Sequence, residues 1–539
     1  MKQLEEELGR DRAIEIETDD EENEAERVCH DLDNYDTESN ITGPSRAHSD
    51  DCLNPDPANF WPQSYRDSMD MFTGVTPPTV SFLKGKGSSF FLASEKASQS
   101  ILPESSSSLY KPLISPLNSD LEIGCTSLPH INQPSVSEFT ASFSDEQPHR
   151  EKCTYTQSVL NAVNALCGIG VLSTPYALKE GGWFSIGLLF LFGAITCYTG
   201  LLLKKCLDSS PRLKTYPDIG HAAFGLTGRI LIAVILYVEL YSSCVEYLIM
   251  MSDNLSASFP NMQMDVFGIH LDSYQICAII SALIILPTVW LRNLRLLSYI
   301  SVGGVVTLVL VVACLVWAGV SSDVGFHPTG KAIDFPNLPI TIGIFSFCYG
   351  SHSVFPNIYS SMREPSRFPS VLIISFVTAG FLYAGVAVFG YSMFGEAIKP
   401  QFTLNLPTNL EPSKIAGWAV VVAPLTKFGL SMTPVALGLE ELLPSSYIQS
   451  TTMSLIIRTT LVFSTLIVAL TVPYFGSVMA LIGSLLVMLV SVVLPCASSM
   501  RIHAGRLSKL EIITSTAVII MGICFAMVGT YSAVSSMGN

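Results

Sequence analysis

Charge is scarce in this sequence. Lys, Arg, Asp and Glu make up 14% of its 539 residues, where soluble chains carry about 25%. The charge present is also concentrated: residues 1–40 hold 16 acidic against 4 basic side chains, and so supply most of the formal net charge of −15. The remainder is close to neutral and 49% of the chain is hydrophobic, which excludes an ordinary soluble enzyme surface and leaves nucleic acid out of the expected partners. Paired cysteine motifs are missing too. Of 13 cysteines, most stand singly in apolar segments (Cys167, Cys197, Cys244, Cys277, Cys314, Cys348, Cys496, Cys524), with no CxxC and no histidine spacing suited to zinc. They read as small buried hydrophobes. There is no GxxxxGK[ST] loop, cofactor-binding loop or nucleophile–base pair, so no enzyme, metal or cofactor is expected. Nor does an apolar signal-peptide core follow Met1; the first membrane segment is expected to act as its own insertion signal.

Long apolar runs are what the chain has in quantity. A membrane helix needs about 20 such residues, and from residue 155 onward eleven segments qualify, at about 156–178, 182–204, 229–252, 273–291, 297–320, 338–361, 370–394, 415–438, 453–472, 474–496 and 511–534. No alternating ten-residue strands of a barrel intervene. Residues 1–152, rich in Ser, Pro, Asp, Asn and Glu, lack the apolar content to offset their ordering entropy and are expected to be a disordered tail. The expected domains are therefore that tail and an eleven-helix unit over 153–539, with an extra helix at about 511–534. Lys and Arg collect in loops of one parity: five after the second span, two in "RNLR", two in "REPSR" and three in "RIHAGRLSK", with Arg458 beyond the eighth. The other parity offers only Lys179, Lys331, Lys399 and Lys414. Positive loops face the cytosol, so the tail is expected to be cytosolic and the C-terminus to face the opposite compartment.

Two spans carry residues unsuited to a lipid-facing helix. "LCGIGVLSTPYALKEGGW" (Leu166 to Trp183) places Gly168, Gly170 and Pro175 in the first, and "FSFCYGSHSVFPNIYSSM" places Gly350, His352 and Pro356 midway along the sixth. Backbone groups freed at membrane depth are tolerated only in protein or along a wet cavity. Matching breaks in two halves point to a transporter's binding site, where half-helix ends meet the charged groups of a substrate. A zwitterionic amino acid has both. The expected lining is Gly168, Ile169, Gly170, Val171 and Thr174 from the first break with Phe347, Tyr349 and His352 from the second. Asn161, Asn164, Pro175, Gly350 and Pro356 are expected to support the breaks. Ionisable groups at membrane depth are usually functional. Glu239 and Glu246, seven apart on one face of the third span, and Lys427 in the eighth are expected to couple a proton to transport.

These segments resemble a known family. "SVLNAVNALCGIGVLSTPYALKEGGW" is similar to the first-helix signature of the amino acid/auxin permeases; "FSFCYGSHSVFPNIYSSM", "TKFGLSMTPVAL" and "PYFGSVMALIGSLLVMLVSVVLPC" are similar to the sixth, eighth and tenth helices. Within the family the resemblance is greatest to the plant vacuolar amino acid transporters, kin of the vesicular inhibitory amino acid transporter; "YGSHS" is more polar than that subgroup's pattern. The resemblance covers about residues 153–535. It implies an all-α LeuT-type architecture of two five-helix inverted repeats (about 155–320 and 338–496) plus one helix. It also implies proton-driven amino acid movement across a vacuolar membrane.

The reading is a proton-coupled secondary transporter of amino acids, by antiport into the lumen, whose partners are its substrate, protons and the bilayer. Proton symport, at the vacuole or the plasma membrane, uses the same residues; a sensor with a carrier fold is the rival from another class. The tail would offer a docking place for trafficking or regulatory proteins, and it contains a four-residue tyrosine pattern, "YKPL" (Tyr110 to Leu113). "NLS" at Asn254 fits a glycosylation sequon too close to the membrane for use.

Overall fold

The computed structural model describes residues 61–65, 68–69 and 152–538, apart from 267, 292–293, 322–324, 327–329, 408–409 and 445–449. The Tyr110 pattern and nearly all of the expected disordered tail lie outside the described residues.

The architecture is all-α. The first span is α1 (Tyr155–Leu166) and α2 (Thr174–Gly181), separated by a 3₁₀ stretch at Ile169–Ser173. Then follow α3 (Ser185–Leu207), α4 (Tyr216–Ser258), a hairpin of β1 (Met264–Val266) and β2 (Ile269–Leu271), α5 (Ser273–Trp290) and α6 (Leu294–Ser321). The second half brings α7 (Leu338–Cys348), α8 (Phe355–Ser361), α9 (Phe368–Phe394), α10 (Glu411–Glu440) and α11 (Thr451–Thr471). It ends with α12 (Phe475–Leu481), π-helical turns through Val493, α13 (Leu494–Ile502) and α14 (Lys509–Gly538).

Helix ends follow local chemistry. Thr154 and Gln157 form a reciprocal capping box on α1, as Thr215 with Asp218 does on α4 and Asp272 with Gln275 on α5; each satisfies amides that a helix start leaves open. Gly225 bends α4 by taking φ +69°, a conformation only glycine adopts freely. The bend lets buried Arg229 reach Asp218 at 2.8 Å.

Large apolar side chains such as Val309, Phe381, Ile467, Ile513 and Met527 lie outward and exposed, a surface that only lipid would cover. The chain is a multi-pass membrane protein. Among the described residues, eight helices are long and apolar enough to cross a membrane, or nine when the bent α1–α2 pair counts as one. The expected count of eleven is not reached on length and composition. The sixth expected span is divided between α7, of 11 residues, and α8, of 7, and within α6 the apolar stretch found is Val306–Val320. Asn254 is buried and hydrogen-bonds Gln401 and Thr403, so its sequon is occupied by packing.

Within the second half, backbones touch where α7 crosses the α12 region. A Cβ added at Gly483 would lie 1.9 Å from the Gly343 carbonyl oxygen, and one at Gly343 would lie 2.5 Å from that of Ala480. Backbone meets backbone there, and no side chain can yield. Gly483→Ala is expected to destabilise by about 1–3 kcal/mol through overpacking, read as a lower midpoint of thermal unfolding in detergent. Gly417→Ala, where nothing lies within 4 Å, is the matched control and should leave the midpoint unchanged; equal effects would contradict this account.

Candidate functional site

Around Gly168 the α-helical ladder stops. The Cys167 and Gly168 amides turn back to Val163 and Leu166, and α2 leaves at 47° to α1. Pro175 sits in the first turn of α2, where a missing N–H costs nothing, and packs so closely on Gly390 that a Cβ there would lie 2.5 Å from its ring. The second break runs from Cys348 to Phe355. Its amides make short turns, Tyr349 to Ser346 and Gly350 to Phe347, each at 3.1 Å, before Pro356 opens α8.

The carbonyls left by the two breaks are satisfied across them. Ser351 Oγ donates to the Ala165 carbonyl at 2.9 Å. The Tyr383 hydroxyl, from α9, lies 2.6 Å from the Leu166 oxygen and 2.8 Å from the Cys348 oxygen. One phenol therefore bridges both breaks with one proton. Gly170 lets the chains approach: its Cβ would lie 2.8 Å from Cys348 Sγ.

Between the breaks lies a cavity. From the first span it is lined by Asn164, Ala165, Leu166, Gly168, Ile169 and Gly170, and from the sixth by Phe347, Cys348, Gly350, Ser351, Ser353 and Val354. Helix α4 contributes Glu239, Leu240, Ser243 and Tyr247; α10 contributes Lys427, Leu430 and Ser431; Val487 closes the wall. A smaller, almost wholly apolar space, lined by Cys167, Leu172, Met250, Thr307 and Val420 among others, touches the other flank of Gly168, Ile169 and Lys427. Lys427 thus stands between the two. No carboxylate is within salt-bridge distance of its ammonium among the described residues. Glu239 is buried with its Oε2 unpartnered, and Glu246 is buried with both carboxylate oxygens unpartnered. An unpaired buried charge is costly, and gain or loss of a proton is how such a group avoids it.

Toward the end bearing Gly182 the molecule is tightly joined. Ser173 Oγ donates to Pro400 O at 2.6 Å and Thr341 Oγ1 to Ala177 O at 2.9 Å. Gly182, at φ +76°, lies against Ala332. The α10 cavity residues Leu430 and Ser431 lie toward the opposite end, where α10 finishes and α4 begins.

Of the expected lining, Gly168, Ile169, Gly170 and Phe347 face the cavity, as do Glu239, Lys427, Asn164 and Gly350. Four expected lining residues do not. Val171 is fully buried outside it, and Thr174 spends its hydroxyl on Val171 O at 3.0 Å. Tyr349 stacks on Phe376 and meets Tyr383 edge-on, 5.4 Å between ring centres. His352 points the other way, its Nε2 3.0 Å from Thr199 Oγ1 and 3.1 Å from Thr196 O. Glu246 is behind the wall, within electrostatic reach of Cys348; Asn161 and Pro356 are buried off the lining. Sequence reading missed Ser243, Ser431 and Tyr383. Ser243 and Ser431 stand four residues after Glu239 and Lys427, one helical turn on the same face, and that spacing was the available signal. Among the described residues no cluster of His, Cys, Asp or Glu is arranged to hold a metal.

Two buried tyrosines give a direct test of the bridge. Tyr383→Phe removes the hydroxyl that the two carbonyls share, leaving Leu166 O only the Gly168 amide, and is expected to cost about 1–3 kcal/mol. Tyr349→Phe removes a hydroxyl that has no partner and should be neutral or stabilising. Thermal unfolding of the two purified variants checks this; a Tyr383→Phe midpoint at or above that of Tyr349→Phe would contradict the bridge.

Comparison with known proteins gives the family. Residues 151–535 match the family described as "Transmembrane amino acid transporter protein". "Amino acid transporter AVT1D" of Arabidopsis thaliana is 52% identical, over 92% of this chain and 90% of that protein. "Amino acid transporter AVT1E" of the same plant is 50% identical over 95% and 97%. The "Vesicular GABA transporter" of Caenorhabditis elegans is 27% identical over 71% and 79%. A solved structure of MhsT in complex with L-phenylalanine superposes with a TM-score of 0.44 at 14% identity, covering 71% of this chain and 100% of that one.

Proposed function

The chain belongs to the transmembrane amino acid transporter protein family, and on that premise we propose that it is a proton-coupled carrier that loads amino acids into the vacuole by antiport. The observation that carries this reading is the cavity shared by two helix breaks and lined by Glu239 and Lys427. A substrate α-carboxylate would lie against the opening amides of the 3₁₀ stretch, Ile169 and Gly170, which by position have no partner inside it. The substrate side chain would lie against Phe347, with Ser243, Ser351, Ser353 and Ser431 supplying hydroxyls. Glu239 and Lys427 touch the cavity directly and would exchange the proton; Glu246 would hold one behind the wall.

The arrangement supports alternating access as the mode of transport. Helices α1, α2, α7 and α8 meet at the two breaks, so each half-helix can tilt about unwound backbone without losing an internal hydrogen-bond ladder. Two five-helix inverted repeats, over about 155–320 and 338–496, would move against each other. The vacuolar membrane, a cytosolic N-terminal tail and a lumenal C-terminus come from the resemblance and the charge asymmetry described above.

Reconstitution in liposomes with an imposed pH gradient tests the reading. Labelled amino acids should accumulate on the acidic side, and a protonophore should abolish the accumulation. Accumulation on the less acidic side would replace antiport by symport, and no gradient-dependent flux from folded protein would favour the sensor. Lys427→Ala is expected to reduce accumulation to the protonophore level while exchange of labelled for unlabelled substrate continues. Wild-type accumulation by that variant would remove Lys427 from the coupling.

A further inference from the structure

The acidic pair that ends α10, Glu440 and Glu441, has no part in the site described above. Carboxylates are disfavoured at a helix C-terminus, where the dipole is negative, so each needs a partner. Glu440 has one in buried Arg458, at 3.2 Å, and in Ser454, at 2.7 Å. Glu441 finds its partners more than 370 positions away in sequence: the Gln63 amide donates to its Oε2 at 3.0 Å, and the Ser64 amide donates to its Oε1.

That contact belongs to a docked segment. Trp61 Nε1 donates to the Gly438 carbonyl at 2.9 Å, and Arg229 Nε donates to the Trp61 carbonyl at 3.1 Å. The Trp61 and Tyr65 rings lie 5.5 and 5.9 Å from that of Tyr237. Gly438 makes the seat: a Cβ there would meet the Tyr237 ring at 2.6 Å. Ser64 and Ser68 close a helical turn at 3.0 Å, and Tyr65, Ser68 and Met69 are buried. Tyr65 and Met69 are continuous with the hydrophobic core of the helical unit. A buried tyrosine, a half-buried tryptophan, two amides on a carboxylate and a guanidinium on a carbonyl have the anatomy of a specific interface, not of a tail grazing a surface.

The seat is beside the cavity. Both helices of the seat line the cavity: Tyr237 is on α4 with Glu239 and Ser243, and Gly438 is seven from Ser431, two turns along the same face of α10; Glu239, Ser243 and Ser431 line the cavity. We propose that the end of the molecule where α4 begins and α10 finishes is a receptor surface for residues 61–65 and 68–69 of the same chain, and that these docked residues cover the cavity's mouth at that end. Leaving the seat opens the mouth, so the N-terminal region sets the fraction of molecules able to exchange ligand on that side. Its effect on flux rests on the transport reading above; the closure does not.

The test uses the full chain in detergent and two readouts that need no transport. Hydrogen exchange should show the Gln63 and Ser64 amides protected, and protection should be lost in Glu441→Ala and in Trp61→Ala. A Ser243→Cys reporter should react slowly with a charged thiosulfonate, followed by mass spectrometry of its peptide. Adding Trp61→Ala or Glu441→Ala should speed that reaction roughly tenfold, as expected when truncating an anchor turns a mostly docked population into a mostly undocked one. Glu441→Gln, a gentler change, guards against misfolding and should give a smaller increase in the same direction. Unprotected amides in the unaltered chain, or equal labelling with and without the segment's anchors in folded variants, would overturn the proposal. Faster labelling in a protein that moves no amino acid would uphold the closure and reject the transport reading.

Discussion

A broken helix inside a membrane leaves backbone carbonyls that water cannot reach, and the structure's answer is the hydroxyl of Tyr383. It touches the last carbonyl of α1 and the last of α7, 2.6 and 2.8 Å away, and so holds together the two breaks that define the cavity. With one proton for two acceptors it can donate fully to one at a time. The shortfall is tolerable because the Leu166 oxygen also accepts from the Gly168 amide at 2.7 Å. Ser351 adds a second cross-link to Ala165. Without these donors each unwound stretch would carry an uncompensated polar group, a cost of the same order as the whole stability of a domain once several are summed.

Much follows from this bridge. Because the breaks are pinned to each other and to α9, the amides of Ile169 and Gly170 and the serines after Cys348 converge on one space. Gly170 is needed for the same reason, since a side chain there would push Cys348 away. At the far end Ser173, Thr341 and Gly182 tie the outer half-helices to neighbouring loops. Closure at one end and a cavity reaching toward the other are therefore consequences of where hydrogen-bond donors happen to stand, beyond the general packing of apolar helices.

Much of this was legible in the sequence, and what was not has physical causes. Gly168, Gly170 and Pro175, and Gly350 and Pro356, announced both breaks because each residue type acts locally on the backbone. Glu239 and Lys427 announced the cavity because a charge in an apolar run needs a reason. The lining was read less well because a break resets helical phase. Residues advance about 120° per step in a 3₁₀ stretch against 100° in an α-helix, so Val171 and Thr174 turn away from where an α-helix would aim them. His352, in the irregular turn before α8, faces Thr196 and Thr199 instead. Tyr349 and Tyr383 look alike in sequence; only the fold decides that one bonds two carbonyls and the other none. Residues near Trp61 were averaged into a polar window, which hides a few aromatic anchors that need no regular pattern to bind.

Those anchors and the breaks obey one rule, and it links the ends of α10 and α4 to the cavity's centre. Glu441 stands at the negative end of α10, as the unwound carbonyls stand at the ends of α1 and α7: each is an acceptor left over by a helix terminus. In the interior the chain satisfies it with side chains fixed to neighbouring helices, and the result is permanent. At the surface it uses the backbone amides of Gln63 and Ser64, more than 370 positions away in sequence. A contact of that kind is reversible. The same unmet hydrogen-bonding demand that builds a rigid binding place within the helices thus provides, at their end, a handle by which the N-terminal region acts on it.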